Sequence, residues 1–170
     1  LWNDDFHHSA RVALTGRDDA YYADYRGGAQ ELLSAVKWGF LYQGQWYRWQ
    51  RRRRGAPAWD VAPARFVHYL QNHDQIANSG QGERLHRLTS AARLRALTAL
   101  LLLAPETTML FMGQGFPASA RFLFFADHQP ELATKVAQGR ALGLAQFENL
   151  AQPGMRARLG APHDPATVER

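Results

Sequence analysis

Phe66-Val67-His68-Tyr69-Leu70-Gln71-Asn72-His73-Asp74-Gln75 decides how the rest of this chain is read. Phe66 to Leu70 are aromatic, β-branched or aliphatic except His68, the composition of a strand covered on both faces. Asn72, His73 and Asp74 then arrive together, with no turn residue before them. In a parallel barrel the C-terminal strand ends carry the chemistry, so this polar cluster is a candidate site; a plain polar loop is the alternative. A carboxylate placed directly after an apolar strand, as Asp74 is, loses solvation unless it is hydrogen-bonded. That is how acid, base and charge-stabilising roles are tuned.

Outward toward the C-terminus, Gln75 to Arg84 is a loop rich in Gly, Asn and Ser. Thr89 or Ser90 can cap a helix bearing Leu94, Leu97 and Leu101, which ends where Ala104 meets Pro105. Its last turns are apolar almost all round, which predicts deep packing. Thr107 to Met112 reads as a second buried strand closed by Gly113-Gln114-Gly115, followed by the short apolar run Phe122 to Phe125. Glu131 to Leu150 reads as an amphipathic helix, and the Pro-, Gly- and Ala-rich tail from Gln152 as a linker.

Toward the N-terminus, Leu32, Leu33, Val36 and Phe40 predict a helix over Ala29 to Phe40. Ser9 to Leu14 suits another, stopped by Gly16. Strand, polar loop, apolar helix, strand, polar loop, helix is the βα alternation of a parallel sheet. Between Tyr42 and Pro63 no periodicity survives, and so long a connection is often functional. Its Trp46-Tyr47-Arg48-Trp49-Gln50 and Arg51 to Arg54 suit base stacking on single-stranded nucleic acid. They suit sugar rings equally, and a solvated surface loop is the third reading.

The composition is globular, with 46% hydrophobic and 21% charged residues. There is no cysteine, which excludes a disulfide framework, a thiolate metal site and a thiol nucleophile. The net charge of +5 raises nucleic acid as a partner, but four of the basic residues form the single run Arg51 to Arg54, so the basicity is local. The longest aliphatic run, Ala99 to Ala104, is too short to span a bilayer. No Gly-x-Ser-x-Gly nucleophile elbow occurs, and Gly80-Gln81-Gly82 lacks the rest of a phosphate-loop pattern. Asp4, Asp5, His7 and His8 are residue types that bind metals, but on a strand each adjacent pair offers only one side chain to a common site. A hydrogen-bonding sugar site suits them better. A chain opening on Leu1-Trp2-Asn3 and closing on Thr167-Val168-Glu169-Arg170 reads as a fragment cut at both ends.

Phe66 followed by Asn72-His73-Asp74 resembles the seventh-strand motif of the α-amylase superfamily of (β/α)8-barrel glycoside hydrolases. Asp4-Asp5-Phe6-His7-His8, Tyr42-Gln43-Gly44-Gln45, Leu110-Phe111-Met112-Gly113-Gln114, Phe122 to His128, Gly82-Glu83-Arg84-Leu85 and Asp164-Pro165-Ala166-Thr167 narrow the resemblance to the trehalohydrolases acting on maltooligosyl trehalose. The resemblance implies an α/β fold, the C-terminal part of a TIM barrel from the end of strand six through helix eight. Residues 1–150 would be barrel, and 151–170 a linker toward a C-terminal β-domain. It implies that Asp74 stabilises the oxocarbenium-like transition state and that His73 binds substrate. Asp4, Asp5, Phe6, His7 and His8 would line sugar subsites at the end of strand six, and Gln75, Ile76, Ala77 and Asn78 would extend the seventh-strand loop. The nucleophilic Asp and the acid Glu would precede Leu1, so the fragment alone should not turn over.

The implied reaction is release of trehalose by cleavage of the adjacent α-1,4 bond, without metal or other cofactor. The implied setting is the cytoplasm, with no nucleic-acid or membrane partner. Gly115 stands where the family has Glu, Ala77 and Ser79 where it has Gly and Arg, and Ala120-Arg121 where it has Thr-Pro. A glucan-branching or debranching relative is the alternative within the class, and a basic nucleic-acid-binding module around Trp46 to Arg54 the alternative outside it.

Overall fold

The computed structural model describes residues 1–152 and 159–167. Its helices are α1 (Asp4–Thr15), α2 (Ala29–Trp38), α3 (His73–Ala77), α4 (Ala91–Leu103), α5 (Pro130–Leu144) and α6 (Glu148–Ala151). Its strands are β1 (Trp46–Tyr47), β2 (Arg52–Arg53), β3 (Val67–His68) and β4 (Thr107–Thr108). The chain divides into two compact units, residues 1–72 with 85–117, and residues 73–84 with 118–170.

The first unit is built on a short parallel ladder. β3 pairs in parallel with β4, Val67 opposite Thr107 and His68 opposite Thr108. On the other side of β3, Trp2 forms a parallel bridge to Val67. The Asn3 N–H donates to the Val67 carbonyl and the Val67 N–H to the Leu1 carbonyl, at 3.0 and 2.7 Å. Parallel pairing requires a crossover, and each connection here runs through a helix, α1 with α2 and then α4. Phe6, Ala10 and Leu14 of α1 share one core with Leu32 and Ala35 of α2, Leu70, Leu85 and Leu101. Their spacing of four places Phe6, Ala10 and Leu14 on one helical stripe.

Asn3 starts α1. Its Oδ1 accepts the Phe6 N–H at 3.0 Å, and Asp4 and Asp5 occupy the first turn, where carboxylates oppose the positive end of the helix dipole. Residues 4–8, anticipated at the end of a strand, therefore belong to a helix. The strand ends at Trp2 because the Asn3 side chain offers the next amides a helical partner. At the other end Gly16, at φ +68°, returns its N–H to the Val12 carbonyl at 2.8 Å. The Asn3 Nδ2 also donates to the Gly39 carbonyl and lies 2.8 Å from His68 Nε2. Gly39 sits at φ +85°, and a Cβ there would fall 2.4 Å from the Phe66 ring.

The two strands of the ladder are shorter than their apolar runs suggest. Tyr69 and Leu70 stay fully buried beyond the last ladder pair of β3. β4 leaves the ladder at Thr108, and Leu110 and Met112 are 50% and 64% exposed rather than buried. α4 is capped as expected, with Ser90 Oγ accepting the Arg93 N–H at 3.3 Å. Its last turn is not deeply packed: Leu101 is buried, but Leu102 is 53% and Leu103 85% exposed. Nothing among the described residues covers that side.

In the second unit, the expected long helix from Glu131 to Leu150 is broken. α5 ends at Leu144, and the Phe147 carbonyl starts α6 by accepting the Leu150 and Ala151 N–H groups. Gly82, at φ +63°, lies so close to the Phe122 carbonyl that a Cβ would approach its oxygen to 2.4 Å, and it accepts the Phe122 N–H at 3.0 Å. Phe122 to Phe125 forms no regular element. Of the expected linker, residues 153–158 and 168–170 lie outside the described residues. Residues 159–167 pack onto this unit, with the Ala126 N–H bonded to the Pro162 carbonyl at 2.8 Å and Thr167 buried.

Because Asn3 joins the ladder, the α1 cap and the Gly39 turn, Asn3→Ala should destabilise the protein by about 2 kcal/mol, read as a lower urea midpoint.

Candidate functional site

α1 directs its first-turn side chains to different fates. Asp5 is buried, and both its oxygens are engaged. Oδ1 accepts the Tyr25 hydroxyl at 2.6 Å and meets Arg54 Nη2 at 3.2 Å, while Oδ2 accepts the Tyr42 N–H at 2.9 Å. Arg54 in turn lies over the Tyr47 ring at 4.8 Å and the Tyr42 ring at 5.9 Å. The basic run is thus split. Arg51 to Arg53 are exposed, whereas Arg54 neutralises Asp5 inside an aromatic shell. Burial and the Asp5 charge together raise the Tyr25 phenol far above its ordinary pKa, so it stays a donor.

Phe6 is fully buried and stacks on His68 at 4.3 Å between ring centroids. His7 donates through Nδ1 to the Leu70 carbonyl at 3.0 Å and stacks on Tyr69 at 5.2 Å. Desolvation, reinforced by Arg11, drops its pKa to about 3. His8 packs edge-on against Tyr22 and Tyr25, and burial with the neighbouring cationic groups holds it well below the ordinary histidine range. Both imidazoles are therefore neutral near pH 7. Asp5, Phe6, His7 and His8 are thus buried, and their contacts are packing and hydrogen bonds within the first unit.

Asp4 is the exposed member of this group. It accepts a hydrogen bond from the Tyr69 hydroxyl. The half-exposed Trp2 ring stands edge-on to Tyr69 at 5.4 Å. A carboxylate beside an accessible indole is a pairing that takes sugar hydroxyls and the apolar face of a pyranose. Asp4 and Asp5 point to different partners, and among the described residues no three His, Asp or Glu side chains are placed to hold a metal ion.

His68, assigned no role from sequence, is fully buried at the centre of the ladder. With Asn3 Nδ2 donating to its Nε2, its proton sits on Nδ1, 3.5 Å from Glu106 Oε2. Burial lowers His68 to about 4 and raises Glu106, so both move toward their neutral forms and the contact is not an ion pair.

The second unit opens at His73. His73 and Asp74 are both exposed, with His73 Nε2 3.3 Å from Asp74 Oδ1. They form the first turn of α3, and the Asp74 carbonyl accepts the Asn78 N–H at 2.9 Å. Gln75 and Asn78 are half-buried, whereas Ile76 and Ala77 are buried and support the turn from inside. Asp74 is thus an accessible carboxylate carried on a helical turn, free of the desolvation expected from its place after an apolar strand. Tyr25 was not singled out from the sequence, and although Tyr42, Arg54 and Tyr69 lie in stretches read there, their partnership with Asp5 and Asp4 was not foreseen. Their clustering in aromatic-rich stretches was the only available signal, because the contacts span up to 65 residues.

No family model matches the chain. Curated relatives do. A malto-oligosyltrehalose trehalohydrolase from Deinococcus radiodurans is 44% identical over 142 residues, covering 82% of this chain and 24% of the relative. One from Mycobacterium tuberculosis is 36% identical over 173 residues, covering 99% of this chain and 29% of the relative. Among solved structures, a "Putative alpha Amylase" from Salmonella typhimurium matches 99% of this chain and 28% of that one, with TM-score 0.83 and 39% identity. The chain spans about a quarter of the length of the relatives it matches. It is a relative of glycoside hydrolases of the α-amylase kind. Within that class its sequence is similar, over the quarter or so of their length that it spans, to malto-oligosyltrehalose trehalohydrolases. Among the described residues no helix is long and apolar enough to cross a membrane.

The two kinds of carboxylate should separate by mutation. Asp5→Ala strips Tyr25, Tyr42 and Arg54 of a buried partner and should cost about 3–5 kcal/mol, whereas exposed Asp74→Asn should stay within about 0.5 kcal/mol in urea titrations.

The buried histidines give a pH signature. The unfolded chain protonates at about pH 6.5, but the folded chain refuses the proton until about pH 4 at His68 and about pH 3 at His7. Stability is therefore complete above pH 6.5 and falls as the pH drops toward 4. The slope should be about 1.4 kcal/mol per pH unit for each such histidine, measured from urea midpoints.

Proposed function

We propose that this chain is the substrate-binding, C-terminal part of a (β/α)8-barrel glycosidase that releases trehalose from maltooligosyl trehalose. The observation that carries the reading is the exposed His73-Asp74 pair opening α3, with buried Asn72 before it in the sequence, in a chain 36–44% identical to malto-oligosyltrehalose trehalohydrolases. In this reading Asp74 is the carboxylate that stabilises positive charge developing at the anomeric carbon, and His73 holds a sugar hydroxyl beside it. Asp4 and Trp2 form a further sugar contact. Gln75 and Asn78 offer amides to substrate, while Ile76 and Ala77 shape the turn.

Glycoside cleavage of the retaining kind uses a nucleophilic and an acid/base carboxyl about 5–5.5 Å apart. Asp74 alone supplies neither role. The bond-breaking pair belongs to the part of the relatives that this chain does not span, and the 170-residue chain by itself should have no turnover.

The test is a segment exchange. This chain, replacing the matching segment of the Deinococcus radiodurans relative, should restore trehalose release from maltooligosyl trehalose. Asp74→Asn in the chimera should lower kcat by about 10²–10³-fold, since it removes charge stabilisation present only in the transition state. A chimera that transfers glucan without freeing trehalose would move the assignment to a branching relative.

A further inference from the structure

The second unit encloses a cavity of about 290 Å³ lined by Gly80, Gln81, Arg121, Leu123, Phe124, Arg140, Gly160 and Thr167. Two of the lining residues are arginines, and among the described residues none of the lining is acidic.

The backbone around Arg121 is held from both sides. Buried Arg84 donates through Nε to the Ala120 carbonyl at 2.6 Å, and Phe122 donates its N–H to the Gly82 carbonyl at 3.0 Å. Arg121 itself is exposed at the mouth. Arg140 is half-buried, and its guanidinium lies 5.0 Å from the centroid of the Phe124 ring. Its Nη2 donates to the Ala77 carbonyl at 3.1 Å. Its Nε is buried without a hydrogen-bond partner among the described residues, and burial lowers the pKa of the group. A guanidinium that is desolvated, stacked and only partly hydrogen-bonded is costly unless an anion completes it. Thr167 is buried and donates its hydroxyl to the Ala161 carbonyl at 2.9 Å, leaving its oxygen as an acceptor, and the Gln81 amide adds a donor.

We infer that this cavity is a binding site for a phosphate group, clamped between Arg121 and Arg140. Planar guanidinium forks match the oxygens of a phosphate, and a cavity of this volume admits inorganic phosphate or the phosphate end of a small sugar phosphate. It is separate from the sugar-binding role given to Asp74, and does not depend on that role.

Calorimetric titration of the 170-residue chain at low ionic strength tests it. Inorganic phosphate and glucose 6-phosphate should each bind saturably at one site per chain. Tighter binding of glucose 6-phosphate identifies a sugar phosphate as the source, and equal binding identifies free phosphate. Arg121→Ala, exposed and outside the packed interior, should weaken either ligand roughly tenfold or more while leaving the circular dichroism unchanged. Arg140→Lys keeps the charge but loses the stacked fork, and should weaken binding as well. An equal response to chloride, or affinity unchanged by Arg121→Ala, overturns the site. Saturable binding of unphosphorylated maltotriose with no response to phosphate makes the cavity a sugar subsite and overturns it too.

Discussion

Asn3 is the residue on which the first unit depends. It stands where a ladder bridge becomes a helix, and it must satisfy both. Its backbone N–H stays in the ladder with Val67, while its side-chain oxygen caps α1 and its amide nitrogen reaches the Gly39 carbonyl and His68. A carboxylate in the same place could accept but not donate, and an apolar residue could do neither. The first bridge with α1, the end of α2 and β3 are tied together by this one buried amide.

The consequence is a sorting of charge along the first turn of α1. Once the helix begins at Asp4, the next residues rotate by about 100° each and cannot share a face. Asp5 and Phe6 turn inward, one to a Tyr–Arg cage and the other to the apolar core, and Asp4 turns outward to Tyr69 and solvent. The histidines that follow are kept neutral by the same burial. A sequence with two acids and two histidines in five residues thus presents a single carboxylate at its surface. In the second unit the balance is reversed, because His73 and Asp74 ride on an exposed turn whose support comes from Ile76 and Ala77 beneath.

Much of the architecture was legible because local rules act locally. Ser90 before an apolar helix, Gly16 after one and the apolar run through Val67 and His68 each report on their own neighbourhood, and each marks a real boundary or pairing. The misreadings lie where a distant partner decides. Leu102, Leu103, Leu110 and Met112 are as apolar as any core residue, yet they are exposed because no described segment covers them. Arg54 looked like the end of a basic run, and its partner Asp5 lies 49 residues away by the numbering of the chain.

The sequence by itself determined the class of the protein. The Asn-His-Asp turn, the Asp-Asp-Phe-His-His stretch and the βα alternation are patterns of residue type and spacing, and those are fully present in one dimension. Only the tertiary structure decided which of these side chains meet solvent and which are spent on holding the fold. That choice rests on desolvation and on hydrogen bonds across gaps of up to 65 residues. The free energy of a buried charge depends on what surrounds it in space, and no spacing along the chain encodes those surroundings.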